Sequence, residues 1–484
     1  MVDVLLAHAF FLDNDTKQRE EKFRPYPPLA TLYAAAMLRE SGLTVDLFDA
    51  TLLKENGDFF DRFLEERRPR LLAIYEDSFN FLSKMCLTHV REAAFRMIRS
   101  ANVRGIPVIV SSSDASDEPL LYLSTGANYV MLGEAENTIV EVVFHLLEDT
   151  PMDAGKIAGI AFLDRNHPDQ VLLTERRPTE RKPDRFPLPA RDLLDIDAYR
   201  TAWENTHGRF SMNMVTTRGC PYACTWCAKP IWGKSYAVRS PKTVAEELAI
   251  LKSHYAPDHI WFVDDIFGLK PGWTREFAHH VGLIDAAVPF TIQCRADLIR
   301  EDVVKSLSAA RCEAVWLGAE SGSQKVLDAM KKGITIEQIH QARELLGSYN
   351  IRACFFIQFG YPCETLEDIK STIRLVKTAM PDDIGISVSY PLTGTEFYRQ
   401  VFHEINGKRN WKESNDLDIM FKSRFESAYY RRLGNFLHRY LNTLHGRSGS
   451  GPAAGLAEVE AECGRLIADA GSYQHDVSNH PAYT

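Results

Sequence analysis

Thr217-Arg218-Gly219-Cys220-Pro221-Tyr222-Ala223-Cys224-Thr225-Trp226-Cys227 is the stretch on which the reading of this chain turns. Its cysteines stand in a C-x3-C-x2-C spacing, which puts three thiolates on one short loop, close enough to share a single cubic iron–sulfur cluster. Clusters that only carry electrons are usually held by four cysteines. Three ligands leave one iron open to a substrate or cofactor, a mark of chemistry rather than of structure. Zinc fits less well: a structural site takes four ligands, commonly two C-x2-C or Cys/His pairs, and no second pair follows at such a spacing. A disulfide framework fits badly too, because the nine cysteines are odd in number and scattered through 484 residues with no secretory signal. The other six (Cys86, Cys294, Cys312, Cys354, Cys363, Cys463) sit mostly in apolar stretches and read as small buried hydrophobes.

The length is that of roughly three domains. A 45% hydrophobic and 25% charged composition is ordinary for a soluble globular protein. The 56 basic and 65 acidic residues leave a net charge of −9, which gives no electrostatic case for nucleic acid, since that needs a basic face. No apolar run approaches the ~20 residues of a membrane span. The start, Met-Val-Asp-Val-Leu-Leu-Ala-His, lacks a basic leader and begins like a buried strand, so a cytoplasmic protein is expected. A reducing compartment suits an oxygen-sensitive cluster.

Outward from the cysteine loop, the chain alternates strand-like and helix-like segments. In residues 1–150, strand-like runs at 2–7, 44–48, 71–75, 106–110 and 128–131 are separated by amphipathic segments at 29–40, 57–66, 82–101 and 119–124. A last helix is expected at 136–147. This βα repeat predicts a Rossmann-like doubly wound parallel sheet, with ligands over the carboxyl ends of its strands. Residues 151–210 read as a hairpin (157–163 with 170–173) and a Pro-rich connector containing Pro178, Pro183, Pro187 and Pro189. Across 211–400 the alternation resumes, with strands at 213–217, 259–264, 290–294, 314–318, 352–359 and 384–390 and helices such as 244–254, 336–349 and 366–380. The cysteine loop directly follows the first of these strands. Residues 401–484 are rich in aromatic and basic side chains and predict helices, with a flexible linker at 447–455 and a peripheral helix or tail beyond it.

With Trp226 just ahead of the last cysteine, the loop resembles the signature of the radical S-adenosylmethionine (SAM) enzymes. The resemblance covers nearly all of residues 213–400, whose six strand–helix units match the family's partial (β/α)6 barrel, where active residues sit at strand carboxyl ends. It implies a 4Fe-4S cluster on Cys220, Cys224 and Cys227, with the open iron chelated by the amino and carboxylate groups of SAM. One electron then cleaves SAM to a 5′-deoxyadenosyl radical. The strand-end motifs that carry the likeness are Trp261–Phe267, Gln293–Asp297, Gly318–Ser323, Gln358–Thr365 and Ser389–Thr395. From them the resemblance implies SAM contacts at Asp264, Asp265, Arg295, Glu320, Ser321, Gly322, Gly360 and Pro362. Polar residues cap strands in any barrel, so it is the set rather than any one position that argues for SAM.

A βα domain ahead of such a barrel is similar to the cobalamin-binding subgroup of the family. Arg24-Pro-Tyr-Pro-Pro28 leading into a helix and then Gly42 carries that likeness, as does Gly133-Glu134-Ala135-Glu136 after the fifth strand. The likeness implies cobalamin near His8, Tyr75, Glu76, Ser78, Ser111, Ser112, Gly133, Glu134 and Glu136. Two departures stand out. The Asp-x-His-x-x-Gly motif that supplies a cobalt ligand in other cobalamin proteins is absent, as is common in this subgroup. The fourth strand leads into Ser111-Ser112-Ser113-Asp114, where relatives have a glycine pair; serines are small enough to admit the cofactor's tail. A βα domain that only holds substrate or supports the barrel is the alternative.

The resulting expectation is a cobalamin-dependent radical SAM enzyme, methylating an unactivated carbon of a small-molecule or lipid substrate with electrons from a donor such as flavodoxin or ferredoxin. Two rivals stay open: cyclisation or rearrangement with the same cofactors, and a non-catalytic iron–sulfur or zinc scaffold.

Overall fold

The computed structural model describes residues 2–55, 57–80, 88–148, 153–167, 169–228, 231–405, 417–447 and 452–475. Cys86, the beginning of the expected helix at 82–101, and part of the expected linker at 447–455 lie outside the described residues. The chain forms two compact units, residues 1–221 with 229–264, and residues 222–228 with 265–484.

The first unit opens with a seven-stranded sheet of β1 (Val4–Ala7), β2 (Val45–Phe48), β3 (Leu71–Tyr75), β4 (Val108–Ser111), β5 (Tyr129–Met131), β6 (Ile160–Leu163) and β7 (Val171–Leu173). Its order is β2-β1-β3-β4-β5-β6-β7. The first five strands pair in parallel. β1, β3 and β4 are buried at every residue, as continuous apolar runs in a sheet covered on both faces must be. The order reverses at β1, so the crevice between the carboxyl ends of β1 and β3 is a topological switch point, where ligands bind in open α/β sheets. The helix Leu29–Glu40 starts at Pro28 and is almost wholly buried. Asp77, past β3, accepts the Ala30 N–H at 3.0 Å, and the Thr31 hydroxyl donates to the Tyr75 carbonyl at 2.6 Å.

The expected hairpin is present, and it continues the sheet: β6 pairs antiparallel with β5, and β7 with β6. The Pro-rich passage after it contains a helix, Ile196–His207, capped by Asp195. Periodicity there is hidden behind neighbouring prolines, and the connector reading missed it. The same unit contains the parallel pair β8 (Ser211–Met214) and β11 (His259–Phe262), and between them the two-residue antiparallel strands β9 (Thr217–Arg218) and β10 (Ala237–Val238). β8 ends three residues before the expected boundary. The Pro-Pro segment serves β8 directly: Tyr26 is hydrogen-bonded to Ser211 at 3.1 Å, and Asn213 donates to the Pro27 carbonyl at 2.9 Å.

The second unit is built on the parallel ladder β12 (Phe290–Cys294), β13 (Cys312–Glu320), β14 (Arg352–Phe359) and β15 (Asp383–Val388). Helices Glu301–Ala309, Ile336–Ser348 and Leu366–Ala379 connect them. The last two begin with capping boxes, Thr335 with Gln338 and Thr365 with Asp368, which fix where each helix leaves its strand. Helices Ser427–Leu444 and Pro452–Ala468 follow. Cys294, Cys312, Cys354 and Cys463 are buried and Cys363 is half-buried. Burial pushes the Cys294 thiol up to about 12, as expected for an inert packing residue. The architecture is α/β: a Rossmann-like parallel sheet, a partial (β/α)6 barrel and a helical C-terminal region. Among the described residues no helix is long and apolar enough to cross a membrane.

Candidate functional site

The cysteine loop is anchored from both ends. In the first unit, Asp264 after β11 is buried and accepts from the backbone N–H groups of Thr216 and Thr217 at 2.7 and 2.8 Å. Its other oxygen accepts the Thr216 hydroxyl at 2.6 Å. Burial pushes its pKa up to about 6 against these bonds. Asp264, expected to contact the SAM ammonium, holds the loop ahead of Cys220 through these three bonds. Asp265 is exposed. Gly219 has φ +76°, and a Cβ there would collide with the Ser235 carbonyl and the Trp232 side chain.

Arg218 is buried. It donates to Glu134 at 2.8 Å and also to Glu136. Phe186, Tyr33 and Phe79 surround the guanidinium at 4.1, 5.2 and 5.4 Å from their ring centroids, a cation–π arrangement. Trp232 Nε1 donates to Glu134 at 3.3 Å, and Tyr75 is hydrogen-bonded to Glu136. Burial raises the pKa of Glu134, helped by Glu136 and opposed by Arg218. The Gly133-Glu134-Ala135-Glu136 turn, expected to face cobalamin, therefore holds the residue two places before Cys220. Gly133 itself has φ +72°.

In the second unit, Tyr222 lies under Arg295, 3.7 Å from the ring centroid. Arg295 is held by Asp297 at 2.9 Å and by the Gly333 carbonyl at 3.3 Å. Thr225 is bound on three sides. Its N–H donates to the Met330 carbonyl at 3.0 Å and its carbonyl accepts the Phe397 N–H at 3.0 Å. Its hydroxyl is bonded to Tyr361 at 2.8 Å. The indole Nε1 of Trp226 is buried with no partner. Cys220, Cys224 and Cys227 are half-buried and in no disulfide. Among the described residues no three His, Cys, Asp or Glu side chains stand together as ligands of one metal ion; a cubic cluster, which takes one thiolate per iron, makes no such demand.

Glu320 ends β13 at φ +59°, past a register shift in the ladder, and is paired with Lys332 at 2.6 Å. Ser321 is bonded to the Thr372 hydroxyl at 3.1 Å. At Gly322 a Cβ would meet the backbone of Ser371 and Thr372, so the strand end presses directly on the helix Leu366–Ala379. Gly360 has φ +78° and donates its N–H to Glu364 at 2.7 Å. Pro362 is buried beside it.

At the switch point of the N-terminal sheet, His8 Nε2 lies 2.9 Å from Asp49. Burial opposes the imidazolium, but Asp49 outweighs it and raises the His8 pKa. Glu76 accepts the Ala9 N–H at 2.7 Å with one oxygen, and its other oxygen, Oε2, is buried without a partner. Burial pushes this carboxyl up to about 7. Ser78 is half-buried. Past β4, the Ser111 carbonyl accepts the Glu76 N–H at 2.9 Å, and Ser112 Oγ accepts the Ala115 N–H at 2.8 Å, capping the helix Ser113–Asp117. Asp114 is bonded to Arg91 and, at 2.7 Å, to Tyr122.

Arg218, Tyr222, Thr225, Lys332 and Tyr361 were not singled out from sequence. Lysine and arginine in loops ordinarily read as solvated, and nothing local marks these two as buried. The signal available was position, since Tyr222 and Thr225 interleave with the cysteines and Arg218 stands two residues ahead of the first.

The sequence profile of the radical SAM superfamily matches residues 214–376. An uncharacterised methyltransferase of Pyrococcus horikoshii is 25% identical over 82% of this chain and 83% of its own. An anaerobic magnesium-protoporphyrin IX monomethyl ester cyclase of Synechocystis sp. is 25% identical over 77% of this chain and 72% of its own. Among solved structures, the radical SAM methyltransferase TsrM of Kitasatospora setae, with cobalamin and a 4Fe-4S cluster bound, superimposes at a TM-score of 0.66. That match has 18% identity and covers 84% of this chain and 75% of that one. The cobalamin-dependent SAM radical enzyme OxsB, with aqua-cobalamin and SAM bound, gives 0.71 at 16% identity, covering 97% and 72%. Over residues 214–376 the family profile and the cysteine loop agree on the radical SAM superfamily, and the chain shares with TsrM and OxsB the fold of a Rossmann-like domain ahead of a partial barrel.

Proposed function

We propose that the chain is a cobalamin-dependent radical SAM methyltransferase acting on an unactivated carbon of a small-molecule or lipid substrate. The observation that carries the reading is the C-x3-C-x2-C loop itself, held by the buried polar groups Asp264 and Arg218 before it and by the bonds of Thr225 within it. The residues present fit a cluster: Trp226 Nε1 is a buried donor with no protein acceptor, suited to a sulfide or to a SAM oxygen, and Lys332 brings a buried positive charge close to Cys224. They also fit cobalamin at the switch point, where the unpartnered Glu76 Oε2 suits an amide N–H of the corrin rim. Past β4, Ser112 Oγ and Asp114 are engaged within the protein, so contacts with that cofactor are assigned to Ser111 and to the ends of β1 and β3.

When bound, a cluster on Cys220, Cys224 and Cys227 supplies the electron that cleaves SAM, and cobalamin supplies a transferable methyl group. The chain's own part is placement. Asp264 and Gly219 set the loop entering Cys220, and Thr225 fixes the segment between Cys224 and Cys227. Glu320, Ser321, Gly322, Gly360 and Pro362 shape the strand ends at which SAM is expected, with Arg295 holding Tyr222. His8 is held through Nε2 by Asp49, and the reading leaves cobalt without a histidine ligand.

Anaerobic purification with cobalamin supplied, followed by an iron count, a visible spectrum and product mass, tests the reading. A substrate gaining one methylene supports methylation. An unchanged or dehydrogenated carbon count favours the cyclase-like reading, for which the 25% identity to the Synechocystis cyclase is the specific support. In the Co(II) state, electron paramagnetic resonance should show no nitrogen superhyperfine splitting; a nitrogen triplet would overturn the ligand-free reading and point to His8 or to the cofactor's own base.

A further inference from the structure

Lys332 and Glu320 are both buried, and the pair is closed at 2.6 Å. Buried pairs are seldom a net gain in stability over apolar packing. This one also holds Glu320 at φ +59°, a conformation that is costly for a side chain with a Cβ. The strand is shaped around it: a Cβ on Gly318 would collide with Lys332 Nζ and with Glu320 Oε1. Strain of this kind persists where the surroundings hold it in place, and it clusters at functional sites.

The pair stands beside the cysteine loop. Met330, two residues before Lys332, accepts the Thr225 N–H at 3.0 Å, which lays the turn 330–332 against Cys224 and Thr225. The ammonium is close enough for the charge of Cys224 to act on it. Of the neighbouring cations, Arg295 is matched by Asp297 at 2.9 Å and covered by the Tyr222 ring, and Lys331 is paired with Glu396 at 2.8 Å. In a buried setting charges are weakly screened and act strongly on one another.

We propose that Lys332 is a positioning residue for charge: it sets the reduction potential of the cluster held through Cys224, and Glu320 moderates it. The inference rests on the cluster reading above. One-electron reduction by a low-potential donor adds one negative charge at the site, which a nearby ammonium stabilises and a nearby carboxylate opposes. Net charge near a cluster is one of the determinants of its potential.

The test is a redox titration of the reconstituted full-length protein, followed by electron paramagnetic resonance. Lys332→Met should shift the midpoint to more negative potential. Glu320→Gln, which leaves the ammonium unopposed, should shift it to more positive potential. Lys332→Arg should stay near the wild-type value. Shifts of opposite sign from two partners of one pair are not produced by mere loosening of the fold. Midpoints that do not move, or that move in the same direction in both variants, overturn the inference while leaving the cluster reading intact. A wild-type protein that takes up no iron overturns both.

Discussion

The guanidinium of Arg218, two residues ahead of the first cluster cysteine, lies 2.8 Å from the carboxylate of Glu134 in the turn after β5. The segment that leaves the first barrel strand and the N-terminal sheet are thus joined within one compact unit by a buried charge. A change at that turn is felt at the cysteine loop without passing through solvent. It also explains why a Gly-Glu-x-Glu turn, which sequence likeness assigns to cobalamin, is so thoroughly hydrogen-bonded by the protein itself.

Arg218→Met leaves Glu134 and Glu136 buried without their cation. Removing one partner of a buried pair costs about 3–5 kcal/mol. The variant should unfold at distinctly lower denaturant concentration and carry less iron per chain. The stability loss should be larger at pH 8 than at pH 6, because protonation of the stranded Glu134, whose pKa burial already raises, relieves it. Denaturation midpoints at the two pH values, with an iron assay, check both statements.

Gly219→Ala combines a left-handed backbone with a collision against the Ser235 carbonyl. The conformation alone costs about 1–2 kcal/mol, and the collision adds to it. Since the loop is short, the expected outcome is a folded protein with a displaced Cys220 and poor cluster retention. Circular dichroism close to wild type with iron well below it is the expected pair of results.

Glu364 is fully buried, and its pKa is pushed up by burial to about 8 from an ordinary 4.5. One oxygen accepts the Gly360 N–H and the other has no partner. The folded state holds the proton more tightly than the unfolded one. The stability that this provides is complete below about pH 4.5 and is lost as pH rises through about 8. The limiting slope for one such group is about 1.4 kcal/mol per pH unit. Glu364→Gln keeps the acceptor for Gly360 and removes the titration. Its denaturation midpoint should therefore fall less than that of wild type between pH 5.5 and pH 8.

Much of the fold was legible because strands such as Val108–Ser111 and Leu71–Tyr75 are continuous apolar runs bounded by turn residues, and helix 136–147 shows plain amphipathic spacing. The hairpin was legible as a hairpin but not as the edge of the first sheet, since strand partners across a long connection leave no local mark. The cysteines were legible through their spacing alone. Their supports were not: Arg218 and Lys332 are charged residues buried by contacts from distant segments, and Asp264 could be placed near the site but not assigned to Thr216 and Thr217 without coordinates.

The central claim is that Cys220, Cys224 and Cys227 hold a cluster with an open iron that cleaves SAM. It is tested most directly by incubating anaerobically reconstituted, dithionite-reduced protein with SAM and measuring 5′-deoxyadenosine, for wild type and for Cys224→Ala. Formation by the wild type and none by the folded variant is the expected result. Equal formation by Cys224→Ala, or none by an iron-replete wild type, would contradict it.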